Sequence, residues 1–369
     1  MAINAKARIR PATWALFAIL PLAFAFIIAR TTQQMGFGDA GQYMKMAEQP
    51  FQFTASPWGY RIVVPYLAAL IAGVLRIPLD RSFWFLSLLA FEAINLVIMI
   101  WGVYGLHLSV FSAILLAAIY SFSYAGVYNL HNYVHIGFYW ELLVFLGFLA
   151  IYYDKFLLLL IIVSLGSAVT ENVIILIPTY LILKLFSGGA KKAVVRTLVL
   201  SVGFLVVFLF VRSGLLFKGA TGFTSYSHFY TLDYVKFVYH NWGGPAGAAK
   251  QVVKAFLVVW LLAALGFIHS SKTSRLLAIL IPLAIVQILL ATDVIRMTSI
   301  AFPAILLLVA VLFKSMKVYE QVLATALSIL SFYAFNLNVD WLLVLGGAGL
   351  VIGLWYLAIF RQRTTISAH

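Results

Sequence analysis

The sequence predicts an all-α protein, a polytopic bundle of transmembrane helices, and three features of its composition support that prediction. Of the 369 residues, 64% are hydrophobic and only 10% are charged, whereas a soluble domain has about 45–50% apolar and about 25% charged residues. A chain this apolar cannot cover a globule of its size with polar surface, which excludes soluble enzymes and disordered scaffolds. The formal net charge of +14 indicates lysine and arginine retained in cytoplasmic loops, and not a nucleic-acid partner.

Residues 13–29 form the first apolar run, and its flanking residues decide whether it is a helix or a cleaved signal. Lys6, Arg8 and Arg10 precede the run, and Arg30 follows it. A run of about 17 residues is at the lower limit for a span and is longer than the core of a typical signal peptide. No small-residue cleavage pattern follows, so we predict a retained first transmembrane helix with a cytoplasmic N-terminus.

Twelve further apolar runs follow the first one along the chain. Backbone in hydrocarbon must satisfy its own hydrogen bonds, so these runs are predicted to be helices. No soluble domain or internal repeat interrupts them, so residues 1–369 are predicted to form a single transmembrane domain. The thirteen runs are 13–29, 62–79, 82–106, 108–127, 136–153, 156–170, 173–186, 197–217, 252–268, 276–291, 300–313, 319–335 and 341–360, and the longest polar connections are 30–61 and 218–251.

Basic residues indicate which side of the membrane each connection faces. In the second half of the chain they fall in alternate connections, which the positive-inside rule assigns to the cytoplasm, so both long connections face outward. Because both termini are then cytoplasmic, the number of crossings is even, and we predict about twelve crossings and one run that does not cross. Our candidate for that run is 108–127, because it ends in the polar and small residues SFSYAGVYNLHN. The cytoplasmic basic residues are Lys184, Lys191, Lys192, Arg196, Lys272, Arg275, Lys314, Lys317, Arg361 and Arg363, and the acids that face outward are Asp233, Asp293 and Asp340.

The first outer loop, residues 30–61, has the length and the aromatic content of a folded loop that lies on the membrane. Asp39 follows the first helix in GDAGQYMKMA, and Arg61 begins the second apolar run. Asp39 is therefore the first candidate site residue, with Tyr43, one helical turn later, as a supporting polar side chain. The alternative is that Asp39 only caps a short helix, since Asp is a favoured N-cap residue.

Glu171 and Asn172 belong to a polar TEN triplet between two apolar half-runs. Each half-run is shorter than the ~20 residues of a comfortable span, so the triplet is predicted to lie at the outer interface. An ionisable residue so close to hydrocarbon is costly, which makes Glu171 a functional candidate. The alternative is a tight turn between helices with Glu171 as a cap.

Asp293 and Arg296 form a third polar group, in ATDVIRMTSIAFP. Three residues apart on a helical turn, they share a face and can pair. An arginine at an outer interface can also hold a phosphate through two hydrogen bonds. A structural ion pair and a phosphate site are therefore both open for Arg296.

Other polar residues give weaker signals. Glu92 and Glu141 lie inside apolar runs and are expected to face the interior of the bundle. His131 and His135 have the i,i+4 spacing of a metal pair, but no HExxH motif surrounds them. The chain has no cysteine, which excludes disulfides, thiolate metal sites and cysteine nucleophiles. The sequence therefore predicts no metal site, and a divalent metal cofactor is an option that no motif indicates.

Four segments together resemble the GT-C glycosyltransferase superfamily, whose members are polytopic enzymes that use sugars carried on polyprenyl phosphate. The likeness covers roughly residues 1–310. Two departures accompany it: Asp39 stands alone where many members have a pair of acids, and Thr170 stands where a basic residue precedes the family's acidic turn. The segments are GDAGQYMKMA, PWGYRIVVPYLAAL, TENVIILIP and DVIRMTSIAFP.

The resemblance implies a glycosyltransferase that moves a sugar from a polyprenyl-phosphate donor to a lipid-linked or glycan acceptor. The reaction would take place at the outer face of a membrane, such as the bacterial cytoplasmic (inner) membrane. The chemistry suits the residues, because a carboxylate can deprotonate an acceptor hydroxyl and arginines can stabilise charge on a leaving phosphate. The implied roles are Asp39 as general base, Arg61 and Arg296 as ligands of the donor phosphate, and Tyr43, Glu171, Asn172 and Asp293 as supporting polar residues.

Two other classes of function are alternatives. A transporter or lipid flippase would also have about twelve crossings, buried acids and broken helices. The chain shows no internal repeat relating its two halves, and its polar residues gather at one interface and not at the midplane, which argues against transport. A non-catalytic membrane assembly subunit would need no acidic residue at position 39.

Overall fold

The computed structural model describes residues 10–32, 39–54, 58–187, 189–213, 215–216, 231–290 and 293–336, together with 349 and 353. Every regular element in these residues is helical, and they contain no strand. The all-α class predicted from the sequence is therefore confirmed for them. Some predictions fall outside the described residues, namely those on the charges before Arg10, on 218–230 of the second outer loop, on Asp340, on the last apolar run apart from positions 349 and 353, and on Arg361 and Arg363.

The described residues form the following helices, in chain order. The first half of the chain forms α1 (Pro11–Thr31), α2 (Ala40–Glu48), α3 (Val63–Leu75), α4 (Leu79–Ile100, extended by a π turn, Trp101–Gly105), α5 (Val110–Ser121), α6 (Tyr124–His131), α7 (Gly137–Tyr152), α8 (Phe156–Gly166), a 3-10 helix (Glu171–Ile175), α9 (Leu176–Phe186) and α10 (Ala190–Arg212). The second half forms α11 (Leu232–Asn241), α12 (Gly244–Phe256), α13 (Val259–His269), α14 (Lys272–Leu277), α15 (Leu280–Val286), a 3-10 helix (Gln287–Leu290), α16 (Val294–Ser299), α17 (Phe302–Ser315) and α18 (Val318–Asn336).

Three helices are long and apolar enough to cross a membrane: Pro11–Thr31, Leu79–Gly105 and Ala190–Arg212. The number rises to five if each of two bent pairs, α5 with α6 and α12 with α13, counts as one span. The surface of α10 is apolar and exposed along its length, as expected for a helix in contact with lipid. Its exposed residues include Val194, Leu198, Val202, Val206 and Phe210. The chain is a helical membrane protein.

The centre of the bundle is a layer of apolar side chains around α17. Almost every residue of α17 from Phe302 to Phe313 is buried, because helices surround it. A Cβ at Gly266 of α13 would collide with the backbone of Leu308 of α17, so glycine is needed for this close approach.

The two ends of the bundle carry different charged residues. At one end Asp154, between α7 and α8, pairs with Lys184 (Nζ–Oδ1 2.8 Å) and Arg196 (Nη1–Oδ1 3.8 Å). At the other end Glu171, between α8 and α9, pairs with Arg212 (Nη2–Oε2 3.2 Å). Helix α8 lies between Asp154 and Glu171, and most of α10 lies between Arg196 and Arg212, so the two groups are at opposite ends of the bundle. We call the end with Asp154 the basic end and the end with Glu171 the site end.

Helix α5, in the run 108–127 that the sequence suggested as non-crossing, lies alongside α18. Near the starts of both helices Ser112 Oγ donates to Gln321 Oε1 at 2.7 Å. Near their ends the rings of Phe122 and Tyr333 are 6.3 Å apart. Because the end of α4 lies against Tyr152 and Tyr153, next to Asp154, α5 starts near the basic end and runs away from it before α6 bends from it by 57°.

Candidate functional site

Asp39 lies at the N-cap position of α2, but its side chain makes no capping hydrogen bond. The carboxylate turns to the loop between α6 and α7 and to α16. Its Oδ2 atom is 3.2 Å from His135 Nε2 and 3.8 Å from Arg296 Nη1. The side chain keeps 24% exposure, so the helix-cap alternative does not describe what this carboxylate contacts.

His135 lies between Asp39 and Arg296 and is buried. Its Nε2 atom contacts both the Arg296 guanidinium and Asp39 Oδ2. His131, four residues earlier, has a different partner, since its Nε2 contacts Thr32 Oγ1. Among the described residues no group of three or more His, Asp or Glu side chains could hold a metal ion.

Arg296 is held by several contacts at the start of α16. Asp293 Oδ1 accepts the backbone N–H of Arg296 at 3.1 Å and so caps the helix. Asp293 Oδ2 also lies 3.3 Å from Arg296 Nε, the ion pair expected from the i,i+3 spacing. The guanidinium carbon lies 5.3 Å from the centre of the Trp140 ring, within reach of a cation–π contact. We call Asp39, His135, Asp293 and Arg296 the Asp39 cluster.

Glu171 lies between two arginines that come from different helices. Arg61 Nε donates to Glu171 Oε2 at 3.3 Å and Arg61 Nη2 donates to Oε1, which makes a bidentate pair. Arg212, at the end of α10, donates from Nη2 to Oε2 at 3.2 Å. We call Arg61, Glu171 and Arg212 the Glu171 cluster. It joins the start of α3, the 3-10 helix before α9, and the end of α10.

Arg212 was not among the predicted site residues. Its side chain is fully buried, with its guanidinium carbon 3.8 Å from the centre of the Phe208 ring and 5.6 Å from that of Tyr60. In sequence it ends an apolar run, where a basic residue usually marks the membrane surface. One signal in the sequence could have indicated it. Because Thr170, and not a basic residue, precedes Glu171, a cation that neutralises Glu171 has to come from another segment of the chain.

Tyr43 connects the two clusters. It is fully buried, and its hydroxyl accepts from Arg61 Nη1 at 3.0 Å. Its ring meets the His135 ring edge-on, with centres 5.5 Å apart. The structure therefore brings six of the seven predicted site residues into one chain of contacts at the site end: Asp39, Tyr43, Arg61, Glu171, Asp293 and Arg296.

Asn172, the seventh, lies beside this chain of contacts. Its backbone N–H donates to Thr170 Oγ1 at 3.3 Å. Its side-chain Nδ2 is buried and has no hydrogen-bond partner among the described residues. Asn172 therefore presents an amide donor near Glu171 without contacting either cluster.

The charges of the site nearly cancel. Burial opposes ionisation of Asp39, but the hydrogen bond from His135 and the positive charge of Arg296 outweigh it and hold the Asp39 pKa well below its usual range. Burial likewise opposes ionisation of Glu171, yet Arg61 and Arg212 lower its pKa to about 2. Burial and the charge of Arg296 lower the pKa of His135 to about 4. At neutral pH three carboxylates therefore face three guanidiniums, with His135 uncharged.

A buried acid lies below the site, inside α7. Glu141 accepts hydrogen bonds from Tyr120 (2.7 Å), Asn129 (3.0 Å) and Ser299 (3.1 Å). Ser299 belongs to α16, the helix that also carries Arg296. The expectation that Glu141 faces the interior is confirmed, since it is fully buried.

Comparisons of the chain with protein families, with curated proteins and with solved structures find no match. The function of the chain therefore has to be inferred from the site itself.

Proposed function

We propose that the chain is a membrane glycosyltransferase of the GT-C type. It would move a sugar from a polyprenyl-phosphate donor to a hydroxyl of a lipid-linked or glycan acceptor. One observation carries the proposal: Asp39 is a partly exposed, ionised carboxylate within 4 Å of the guanidinium of Arg296 at the site end of a membrane protein. A base and a cation side by side are what this transfer needs.

In the proposed reaction the acceptor hydroxyl attacks the anomeric carbon of the donor sugar. A new glycosidic bond forms, and the bond from that carbon to the phosphate oxygen breaks. The leaving polyprenyl phosphate keeps the electron pair, and Asp39 takes the hydroxyl proton. Arg296 stabilises the charge that grows on the leaving phosphate.

Arg296 is a better donor ligand than Arg61, the other arginine expected to hold the phosphate. Arg61 donates from all three of its nitrogens to Glu171 and Tyr43, so a phosphate would have to replace these contacts. The contacts of the Arg296 guanidinium within the Asp39 cluster involve only its Nε and Nη1 atoms, so an anion can approach through Nη2. Arg61 then contributes positive charge from behind Tyr43, without contacting the donor phosphate.

Donor binding would also activate the base. While Arg296 faces Asp39, its charge helps to keep the Asp39 pKa well below the usual range, and such a carboxylate is a weak base. A phosphate bound to Arg296 neutralises that charge, so the pKa of Asp39 rises toward its ordinary value. Asp39 then accepts a proton more readily once the donor is in place.

The proposed topology has about twelve crossings and two cytoplasmic termini, in a bacterial inner membrane. Lys184 and Arg196 mark the basic end, which the positive-inside rule assigns to the cytoplasm. The site end, with Asp39 and Arg296, then faces outward, where lipid-linked sugars would reach it from the outer leaflet.

Asp39→Asn tests the proposal directly. The protein in nanodiscs is supplied with decaprenyl-phosphate sugars, one sugar at a time, plus a membrane extract of its native host as acceptor source, and the release of decaprenyl phosphate is measured. We expect turnover to fall by about 10²–10⁴-fold, since the amide cannot take a proton, while binding of decaprenyl monophosphate persists. Asp39→Glu should also be slow, because one added methylene displaces the base.

Asp233→Asn is the matched control, because Asp233 is an acid of the second outer loop whose side chain is 90% exposed. It should leave turnover unchanged. Turnover of Asp39→Asn equal to that of the wild type would remove Asp39 from the active site. Absence of turnover with every sugar in the wild-type protein would count against the enzyme assignment itself.

A further inference from the structure

Helix α3 and the first turns of α4 form an antiparallel hairpin, which we define as residues 63–89. Ser82 Oγ of α4 donates to the carbonyl of Ala68 of α3 at 2.7 Å, so the two helices lie side by side in opposite directions. At the base of the hairpin Val64 and Phe83 are buried in one apolar cluster that also contains residues of α2. The hairpin is therefore anchored to the first loop.

The base of the hairpin lies at the site end of the bundle. Ser87 Oγ donates at 2.6 Å to the carbonyl of Tyr133, in the connection that also carries His135. Burial and the charge of Asp80, next to the turn of the hairpin, raise the pKa of Tyr133. The Ser87 hydrogen bond ties the hairpin to the side of the molecule on which Asp39 lies.

The part of α4 that follows the hairpin is long enough by itself to reach from the site end to the basic end. From Leu89 to Gly105 the helix rises about 24 Å at ~1.5 Å per residue. At that far end Trp101 packs edge-on against Tyr152, with ring centres 6.1 Å apart, two residues before Asp154 of the basic end. The run 62–79 therefore adds length beyond the site end and does not approach the basic end.

An apolar surface covers the outside of the hairpin. A solvated hairpin would not expose such a contiguous patch of large apolar side chains. Arg76 and Arg81 flank its turn, and both are exposed. The exposed apolar residues are Leu67, Leu70, Val74 and Leu75 on α3, and Trp84, Phe85 and Leu89 on α4.

This apolar surface continues onto a helix that is long enough to span the membrane. A cleft of about 460 Å³ between α1, α4 and α6 is lined by Leu22 and Phe26 of α1 together with Trp84 and Leu88 of α4. Leu22 and Phe26 are exposed apolar residues of the candidate span Pro11–Thr31. Lipid chains that cover α1 in the membrane would therefore also contact the hairpin.

We infer that residues 63–89 form a helical hairpin that lies in the outer leaflet of the membrane, with its apolar side chains against lipid chains and Arg76 and Arg81 against phospholipid phosphates. Helices with one apolar face and flanking basic residues bind interfaces in this way. The run that does not cross is then 62–79 and not 108–127, because α5 extends along α18. This inference goes beyond sugar transfer; it rests on the contacts of the hairpin and of α5, and on the proposed assignment of the site end to the outer face.

Thiol labelling tests which side the turn faces, because the chain has no natural cysteine. Asp80→Cys is compared in intact cells with Asp233→Cys, in the second outer loop, and with Lys191→Cys, at the cytoplasmic start of α10. A membrane-impermeant maleimide should label the cysteines at 80 and 233 from outside, and the one at 191 only after permeabilisation. Labelling at position 80 only after permeabilisation would mean that 62–79 crosses, which overturns the inference.

Spin labelling then tests the contact with lipid. A nitroxide at Val74→Cys in liposomes is exposed to oxygen and to a water-soluble nickel chelate, next to labels at Phe26→Cys and Asp233→Cys as lipid and water references. We expect position 74 to favour oxygen, as position 26 does. Collision mainly with the nickel chelate, as at 233, would place the hairpin in water and overturn its lipid contact. Neither readout depends on enzyme activity, so the inference and the proposed function can fail separately.

Discussion

The Glu171 cluster and the Asp39 cluster use the same chemical groups, but they differ in how completely each carboxylate is paired. Glu171 accepts from two guanidiniums, one of them bidentate, and Arg212 is fully buried. Asp39 has one guanidinium at 3.8 Å, an uncharged imidazole at 3.2 Å and the Trp58 side chain as a neutral donor. A carboxylate whose acceptor positions are filled by buried cations holds helices together, whereas a loosely paired one is available for a substrate.

We therefore expect the Glu171 cluster to stabilise the fold and the Asp39 cluster to act on the substrate. Removing one partner of a buried ion pair leaves the opposite charge without compensation, which costs far more than the pair itself contributes. The Glu171 cluster has two such charges, and it joins three segments that are distant in sequence. Substitutions in it should therefore act first on folding, and substitutions in the Asp39 cluster first on turnover or binding.

Glu171→Gln should give the largest loss of stability. The amide leaves Arg61 and Arg212 facing a neutral side chain, and breaking a buried pair costs about 3–5 kcal/mol. Because the Glu171 side chain is 20% exposed, we expect the low end, about 3 kcal/mol. Thermal unfolding in detergent measures it, with Glu48→Gln, at an exposed acid of α2, as the control. An unfolding midpoint equal to that of the wild type would contradict the structural role of the pair.

Arg296→Ala should weaken donor binding more than it weakens folding. A charge-assisted hydrogen bond is worth about 1.5–3 kcal/mol, so the affinity for decaprenyl monophosphate in nanodiscs should fall by about tenfold or more. Lys236→Ala removes an exposed cation of the second outer loop and should leave the affinity unchanged. If Arg296→Ala binds as tightly as the wild type, Arg296 serves only as the structural partner of Asp293.

Much of the site could be predicted from the sequence because charged residues are conspicuous in so apolar a chain. Arg61 and Glu171 lie where apolar runs begin or end, Asp39 and Arg296 lie in connections between such runs, and all four were expected at the outer face. Helix formation followed in the same way from the need to satisfy backbone hydrogen bonds in hydrocarbon.

The rest depended on three-dimensional contacts that local sequence does not contain. The i,i+4 spacing relates His135 to His131, whereas the residues that His135 contacts come from the first loop and from α16. Arg212 resembled an ordinary interfacial basic residue. Hydropathy also cannot separate an interfacial hairpin at 62–79 from a crossing helix, since both are apolar and of similar length; only the contacts of Ser82 and Ser87 distinguish them.

The smallest expected effect is a pH dependence that comes from His135, and it separates the two clusters by their titration. In the unfolded chain a histidine has a pKa near 6.5, whereas burial lowers the pKa of His135 to about 4 in the folded protein. Between these values the unfolded state binds a proton that the folded state does not, so stability falls as the pH falls from about 6.5 toward 4. At pH 5.5 the loss should be about 1 kcal/mol relative to pH 7.5. Glu171 and Asp39, with pKa values lowered below their usual range, stay ionised in the folded protein at both pH values.

Unfolding midpoints at pH 7.5 and 5.5 for the wild type and for His135→Gln measure this contribution. The other histidines are common to both proteins, so the difference between the two pH dependences isolates His135. The variant should lose less stability on acidification than the wild type does, by about 1 kcal/mol. An equal loss in both would mean that the pKa of His135 is not lowered in the folded protein, so that at pH 5.5 His135 is protonated there. Asp39 would then face two cations, as Glu171 does, and the contrast between the clusters would disappear.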